Sequence, residues 1–174
     1  YRTSVFKERS ELLILSVTFT TNSDATVNTA YQSLKNEISF QGLNDSDITP
    51  IQVFDLVVDV RKRILPDHHV YPNVGSFFKN VFINKKDIDS LNLDAEIPIY
   101  DAGDSIKIPS AYLLEKLGWK GKRKGDVGMS AQHSLVLVSY KQVTGNEILS
   151  FANEVINDVN LKTNIQLEIE PTLL

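Results

Sequence analysis

Ser76 lies in a string of polar and aromatic residues, Asn-Val-Gly-Ser-Phe-Phe-Lys-Asn at positions 73–80, that ordinary packing does not require. A hydroxyl placed after a glycine and before two aromatic rings can be aimed into a pocket from which water is excluded. Serine is a poor acid toward a neutral base, but a carbanion is basic enough to take its proton. An isolated Gly-Ser pair would more often cap a turn, and the flanking residues make proton delivery the better prediction here.

Two further motifs accompany this string. Residues 1–7 read Tyr-Arg-Thr-Ser-Val-Phe-Lys, and residues 167–170 read Leu-Glu-Ile-Glu. In order and spacing, and together with Leu-Pro-Asp at 65–67, the motifs resemble those of the UDP-N-acetylenolpyruvoylglucosamine reductase family. These bacterial flavoenzymes reduce an enolpyruvyl ether in peptidoglycan precursor synthesis. The resemblance extends over almost the whole chain and implies an oxidoreductase of cell-wall synthesis.

The chemistry implied by this resemblance is a double-bond reduction in two half-reactions. NADPH reduces a bound FAD, and the reduced flavin passes a hydride to one carbon of UDP-N-acetylglucosamine enolpyruvate, which becomes UDP-N-acetylmuramate. Negative charge develops on the neighbouring carbon and on the substrate carboxylate. The site must therefore stabilise an enolate-like intermediate and then protonate it.

The resemblance implies three catalytic residues. Arg2 suits the substrate carboxylate, because a guanidinium stays charged and can offer two parallel donors. Ser76 suits the proton transfer to carbon. Glu170 would polarise the substrate or supply a proton within a desolvated pocket. The neighbouring Glu168 competes with Glu170, but the family pattern aligns with the second carboxylate.

Further residues match family positions that contact the nucleotide sugar or the flavin. Aromatic faces, amides and cations suit uracil and a diphosphate, although each of these residues could instead have a packing or surface role. The implied substrate-binding residues are Tyr1, Tyr31, Lys79, Asn80, Tyr100 and Lys107, and the implied FAD-binding residue is Arg61. The chain departs from the family pattern at Ile64, Val81 and Thr172, but not at the three catalytic positions.

Two other classes of protein remain open. The chain could be a non-catalytic module that binds a nucleotide sugar, or the substrate domain of another flavin oxidoreductase with a different acceptor. A binding module would hold UDP-N-acetylglucosamine derivatives without flavin. A different oxidoreductase would ignore them.

The composition is that of a globular protein. The chain has 174 residues, of which 42% are hydrophobic, enough to bury a core. No run approaches the roughly 18 apolar residues that cross a bilayer, so we expect no membrane insertion and a cytoplasmic location. The chain has no cysteine, which excludes disulfides and thiolate metal sites. Its net charge of −4 argues against a general nucleic-acid binder.

Hydrophobic spacing predicts a chain of mixed helices and strands, with an α+β or α/β organisation. The resemblance favours the α+β class. Strands are predicted at 12–21, 80–83, 134–140 and 165–170, and helical patterns at 25–38, 50–64, 110–117 and 148–159. Thr49 and Pro50 form a start signal for the second helix, and Leu65-Pro66 a stop signal.

The proline-rich stretch 66–75 is the expected domain boundary. We expect residues 1–65 to be the tail of the FAD-binding region, residues 66–165 the substrate-binding C-terminal domain, and residues 166–174 a strand returning toward the FAD-binding region. The chain starts inside the first motif and without methionine, so we expect that most of the N-terminal FAD-binding region, a partner of this part, is missing. Such a chain should bind FAD poorly and turn over little.

Two further signals are weaker. Asp67, His68 and His69 carry metal-ligand side chains, but adjacent histidines cannot share one face of a helix or strand, and no further ligand cluster is evident. The sequence therefore predicts no metal site. The basic residues 120–124 are better explained as a solvated turn than as a phosphate-steering loop.

Overall fold

The computed structural model describes residues 4–9, 11–22 and 26–173. The chain divides into two compact units, Tyr1–Val53 and Phe54–Leu174. Helices and antiparallel sheets are both present, so the α+β prediction is confirmed. Within the described ranges, no helix is sufficiently long and apolar to span a membrane.

The described residues of the first unit form two helices and the start of a third. Helix α1 is Val5–Glu8, helix α2 is Gln32–Phe40, and helix α3, Pro50–Ile64, begins here. Leu34 and Ile38 are the buried apolar residues of α2. Of the helical pattern predicted at 25–38, residues 26–31 are therefore not helical and the helix begins at Gln32.

The strand predicted at 12–21 is wrong. Residues 11–22 contain no strand and are exposed along their whole length, including Leu13 at 80%, Leu15 at 87% and Phe19 at 82%. A strand is stabilised by pairing with a neighbour. No described residue forms a β-bridge with this segment, so its β-branched composition alone does not produce a strand.

Helix α3 has the predicted boundaries. The Thr49 hydroxyl accepts a hydrogen bond from the Gln52 backbone N–H at 3.4 Å, and the Gln52 side chain accepts the Thr49 N–H at 2.9 Å. This reciprocal pair caps the helix start, and Pro66 follows its end. Only Leu56 is buried in α3, which is described throughout, so most of the apolar stripe faces outward.

The second unit is built on two antiparallel sheets. One sheet has the order β1-β7-β6-β5, and the other has the order β2-β4-β3. The strands are β1 Asn73–Ser76, β2 Val81–Asn84, β3 Tyr100–Ala102, β4 Ser105–Ile108, β5 Arg123–Lys124, β6 Val127–Met129 and β7 Val136–Ser139. A 3-10 helix, Lys85–Ser90, follows β2. The predicted strands at 80–83 and 134–140 are therefore present, with small shifts at their ends.

Two helices pack on these sheets and complete the core. They are α4, Ser110–Lys116, and α5, Gly145–Thr163. Thr144 and Glu147 form a full capping box at the start of α5, which extends the predicted helix by three residues. The largest fully buried side chains are those of Trp119, Phe78, Ile108, Leu113, Leu114, Met129 and Ile165.

The strand predicted at 165–170 forms only in part. Ile165 and Leu167 are buried and Gln166 and Glu168 are exposed, so the predicted alternation is correct. The segment makes a single bridge, between Ile169 and Phe78. Because it pairs only over this short stretch, it is extended chain and not a regular strand.

Candidate functional site

A β-bulge positions Ser76. Asn73 pairs with Val138 and Ser76 pairs with Val136, so β1 has one more residue between the two pairs than β7. Gly75 lies inside this bulge with a φ of +80°, a conformation that suits glycine. Bulges re-aim side chains at sheet edges. The Gly-Ser pair noted in the sequence is therefore part of a strand irregularity and not an isolated turn.

Ser76 is half-buried, and its hydroxyl has no hydrogen-bond partner among the described residues. The aromatic residues that follow it are buried, with Phe77 4% and Phe78 1% exposed, and their rings meet edge to face at 5.3 Å. They anchor the backbone that directly follows Ser76 in the core, which fixes the position of Ser76 from its C-terminal side.

Glu170 lies next to this segment. Its backbone N–H donates to the Phe77 carbonyl at 2.9 Å, and Ile169 pairs with Phe78. Like Ser76, Glu170 is half-buried. Two of the three predicted catalytic residues, distant in sequence, are therefore brought to adjacent backbone segments.

The third predicted catalytic residue, Arg2, and the predicted substrate residue Tyr1 lie outside the described residues.

Lys79 and Asn80 are fixed beside the same pair of segments. The Lys79 ammonium contacts the Glu168 carboxylate at 2.8 Å, and the Lys79 N–H donates to the Glu168 carbonyl at 2.9 Å. The Asn80 side-chain oxygen accepts the Ser110 N–H at 3.2 Å, and the Ser110 hydroxyl donates to the Lys79 carbonyl at 2.6 Å. Ser110 is a supporting residue that the motif did not reveal.

Tyr100 and Lys107 form a second group. They lie directly opposite each other on β3 and β4, and Phe82 of β2 lies opposite Lys107 on its other side. Ile106 and Ile108 alternate with Lys107 and are buried, so the three side chains share the outer face of this sheet. Cross-strand neighbours are in contact range, so the register puts a lysine between two aromatic residues on this face.

Phe82 was not identified from the sequence. It is 41% exposed although it lies in a short apolar strand. Its alternation with the core residue Val81 was the available signal.

Tyr31 and Arg61 lie on helix ends. Tyr31 is the N-cap of α2 in the first unit and is 76% exposed. Arg61 is exposed in the last turn of α3 with Lys62 and Arg63. Cations in a last helical turn interact favourably with the helix dipole, which is a structural role open to Arg61.

An apolar cavity of about 500 Å³ adjoins β1. Its lining includes Asn73, Val74 and Phe77 from the Ser76 string and Thr172 and Leu173 from the last described residues. A larger, shallower depression of about 870 Å³ follows the outer face of α5. None of the predicted site residues that the structure describes lines either cavity, but Phe77 and Pro171 in the lining of the β1 cavity are the sequence neighbours of Ser76 and Glu170.

The surroundings of His133 indicate a structural role. Its Nδ1 accepts the Leu135 N–H at 3.2 Å. Partial burial, and next the nearby Lys120 charge, lower the pKa of the imidazole, while Glu115 acts in the opposite direction. The neutral ring therefore holds the turn that leads into β7.

The basic residues 120–124 are neutralised within the fold. Lys122 lies over the Trp119 ring at 3.7 Å and Arg123 over the Tyr140 ring at 4.0 Å. Ion pairs join Lys120 to Glu115, Arg123 to Asp126 and Lys124 to Glu154. These contacts support the interpretation as a structural turn.

Comparison with known proteins places this geometry in a family. Residues 66–174 match the family model described as UDP-N-acetylenolpyruvoylglucosamine reductase, C-terminal domain. The chain is 37% identical over 179 residues to the protein of that name from Xanthomonas axonopodis pv. citri (strain 306), covering 100% of the chain and 50% of the relative. It is 37% identical over 177 residues to the relative of the same name from Alcanivorax borkumensis (strain ATCC 700651 / DSM 11573 / NCIMB 13689 / SK2), with coverage of 100% and 50%. The relative of that name from Paraburkholderia phymatum (strain DSM 17167 / CIP 108236 / LMG 21445 / STM815) is 35% identical over 178 residues, with coverage of 100% and 51%. The chain spans about half the length of these curated relatives.

Proposed function

Because the chain belongs to the UDP-N-acetylenolpyruvoylglucosamine reductase family, we propose that it forms the substrate-binding part of an enzyme that reduces UDP-N-acetylglucosamine enolpyruvate to UDP-N-acetylmuramate. In this proposal residues 66–165 form the substrate domain, residues 1–65 belong to the FAD-binding region, and residues 166–174 return toward that region. NADPH is the reductant, and the reaction serves peptidoglycan synthesis in the cytoplasm.

The observation that carries this proposal is the hydrogen bond from the Glu170 N–H to the Phe77 carbonyl. It joins the segment that contains Ser76 to the segment that contains Glu170, two half-buried polar residues separated by most of the unit. A half-buried serine and a half-buried glutamate on adjacent backbone segments are the residue types that a proton transfer to a bound substrate requires.

The chain's residues have these roles in the reaction. When FAD is bound, it carries a hydride from NADPH to one carbon of the substrate double bond. Ser76 then donates its hydroxyl proton to the neighbouring carbon, which has become basic. Glu170 polarises the substrate carboxyl group or supplies a proton, and Arg2 pairs with the substrate carboxylate.

Arg61 is the residue proposed to contact FAD. Its guanidinium is exposed in the last turn of α3, and a guanidinium can donate two parallel hydrogen bonds to a phosphate. It therefore fits the diphosphate of a flavin dinucleotide.

The nucleotide sugar is proposed to bind along β2, β3 and β4. Lys79 and Asn80 immediately precede β2, and Tyr100 and Lys107 lie opposite each other on the outer face of the sheet. Aromatic rings suit a uracil, and a cation between them suits a diphosphate. Tyr1 and Tyr31 are further substrate contacts in this proposal.

Calorimetry on this chain tests the substrate class. UDP-N-acetylglucosamine should bind without flavin, and Tyr100→Ala should weaken binding about tenfold, equivalent to about 1.4 kcal/mol. Tyr112→Ala is the matched control, because Tyr112 is a similarly exposed tyrosine, at 58% against 52%, but lies on α4. Absence of binding would favour an oxidoreductase with another acceptor. Binding together with an inert Ser76 would favour a non-catalytic module.

A further inference from the structure

The turn between α3 and β1 brings three metal-ligand side chains together. Asp67, His68 and His69 each offer one ligand atom, and these atoms lie within 4.8 Å of one another. The two imidazole rings are 4.1 Å apart at their centroids and tilted by 38°. The sequence argument against a metal site assumed a helix or a strand. In a turn, adjacent side chains are free to point the same way, so that argument does not apply.

The turn is held by its own hydrogen bonds. The Asp67 carbonyl accepts the N–H groups of Val70 at 3.1 Å and Tyr71 at 2.8 Å, and an Asp67 side-chain oxygen accepts the His69 N–H at 2.9 Å. A carboxylate has two oxygens. One can therefore fix the turn while the other faces an ion.

Both ends of the turn are anchored in the fold. Pro66 is buried, and the Tyr71 ring packs edge to face on Tyr140 at 5.5 Å. Such anchoring reduces the cost of arranging ligands around an ion.

The spacing fits a transition-metal ion after a small adjustment. Zinc binds imidazole nitrogen at about 2.0–2.1 Å, so two ligands on one ion are at most about 4 Å apart. All three side chains are exposed, and rotations that move their ends by about an ångström would close the cluster. Water would complete the coordination.

The donor types decide the class of metal. Two imidazoles and one carboxylate suit Zn²⁺, Cu²⁺ or Ni²⁺, whereas Mg²⁺ and Ca²⁺ prefer oxygen ligands. The chain has no cysteine and only three histidines. The third, His133, accepts a hydrogen bond through Nδ1, so strong imidazole binding should concentrate at the turn.

We propose that Asp67, His68 and His69 form a binding site for a divalent transition-metal ion, and Zn²⁺ is the ion used to test it. The ion connects three successive residues between α3 and the strand that ends at Ser76. It thereby stiffens this connection. Binding of the ion requires neither flavin nor the nucleotide sugar, so the metal site can be tested separately from the proposed reaction.

Calorimetric titration of the metal-free protein with ZnCl₂ tests this site. Wild type should bind one ion per chain, and His68→Ala and His69→Ala should each weaken binding by at least about tenfold. Asp67→Asn should also weaken binding, although asparagine keeps an oxygen that can accept the His69 N–H. His133→Ala is the control and should leave the affinity unchanged.

A second measurement locates the ion directly. Substoichiometric Ni²⁺ should broaden the imidazole NMR signals of His68 and His69 and leave those of His133 sharp. The proposal is overturned if zinc gives no saturable binding, if His133→Ala weakens binding as much as the turn variants, or if the broadening does not distinguish the three histidines.

Discussion

Glu168 and Glu170 show what the environment adds to a residue type. The two carboxylates are separated by one residue and resemble each other in sequence. Glu168 is engaged by the Lys79 ammonium with its side chain 69% exposed, whereas Glu170 is half-buried and its N–H is bonded to Phe77. An exposed ion pair contributes only about 0–1 kcal/mol. The two glutamates thus differ in burial and not in residue type, and Glu170 stays the proposed catalytic residue because of the family alignment.

His133 should make the free energy of unfolding depend on pH. Its pKa in the folded protein is lowered, mainly by burial, while an unfolded histidine titrates near about 6.5. As the pH falls below about 6.5, the unfolded state takes up a proton that the folded state does not yet bind. The free energy of unfolding therefore decreases until the pH reaches the lower pKa of His133 in the folded protein. Asparagine at this position can still accept the Leu135 N–H. We expect His133→Asn to lose less stability than wild type between about pH 7.5 and pH 5.

Urea unfolding at the two pH values measures this difference. The carboxylates contribute equally to both proteins, so subtraction isolates the imidazole. Identical losses in wild type and variant would show that the burial of His133 does not couple to folding.

Among the helices and strands, a prediction was correct where all the sequence signals that start and stop the element lie within the element or next to it. The ends of α3 follow from Thr49 and Pro66, because capping and proline effects act over a few residues. The pattern at 148–159 predicted only the middle of α5, Gly145–Thr163, because the Thr144 capping box was not recognised in the sequence. The strand prediction failed at 12–21 and succeeded only in part at 165–170, and the described part of the helical pattern predicted at 25–38 is helical only from Gln32. Residues 12–21 have strand composition but no pairing partner among the described residues, and a partner cannot be read from the segment itself.

The bulge in β1 is an element whose cost can be measured. An added Cβ at Gly75 would meet nothing within 4 Å, so only its φ of +80° opposes a side chain. We expect Gly75→Ala to lower the free energy of unfolding by about 1–2 kcal/mol, the cost of a left-handed backbone for alanine. Gly145, which also has open space and does not have a positive φ, is the matched control.

Chemical denaturation of both variants gives the comparison. Gly145→Ala should be neutral or slightly stabilising, because alanine lowers the entropy of the unfolded chain. If both variants had equal stability, the bulge would not depend on the left-handed glycine, and the reason given for the position of Ser76 would fail.

At the scale of the whole molecule, the sequence named candidate site residues but did not predict which residues lie next to them in the fold. Ser76, Lys79, Asn80 and Glu170 were all named from motifs, and the fold brings their segments together. The opposition of Tyr100 and Lys107 could not be predicted, because the register of β3 and β4 depends on a hairpin that composition does not specify.

The sequence did not reveal the supporting role of Ser110 or the spatial grouping at residues 67–69, for a related reason. Ser110, which joins Lys79 to α4, has no signal apart from its contacts. The grouping of Asp67, His68 and His69 depends on a turn whose conformation places adjacent side chains together.

The central claim is that the Ser76 hydroxyl donates a proton to a substrate carbon. Rapid-mixing kinetics of Ser76→Ala, in a flavin-loaded protein that contains this chain, tests it most directly. Reduction of the flavin by NADPH does not involve this proton, so it serves as the internal control and should proceed at nearly the wild-type rate. Reoxidation by UDP-N-acetylglucosamine enolpyruvate should slow by about 10²–10⁴-fold, the usual contribution of a positioned proton donor. Equal slowing of both half-reactions, or reoxidation at the wild-type rate, would contradict the role of Ser76.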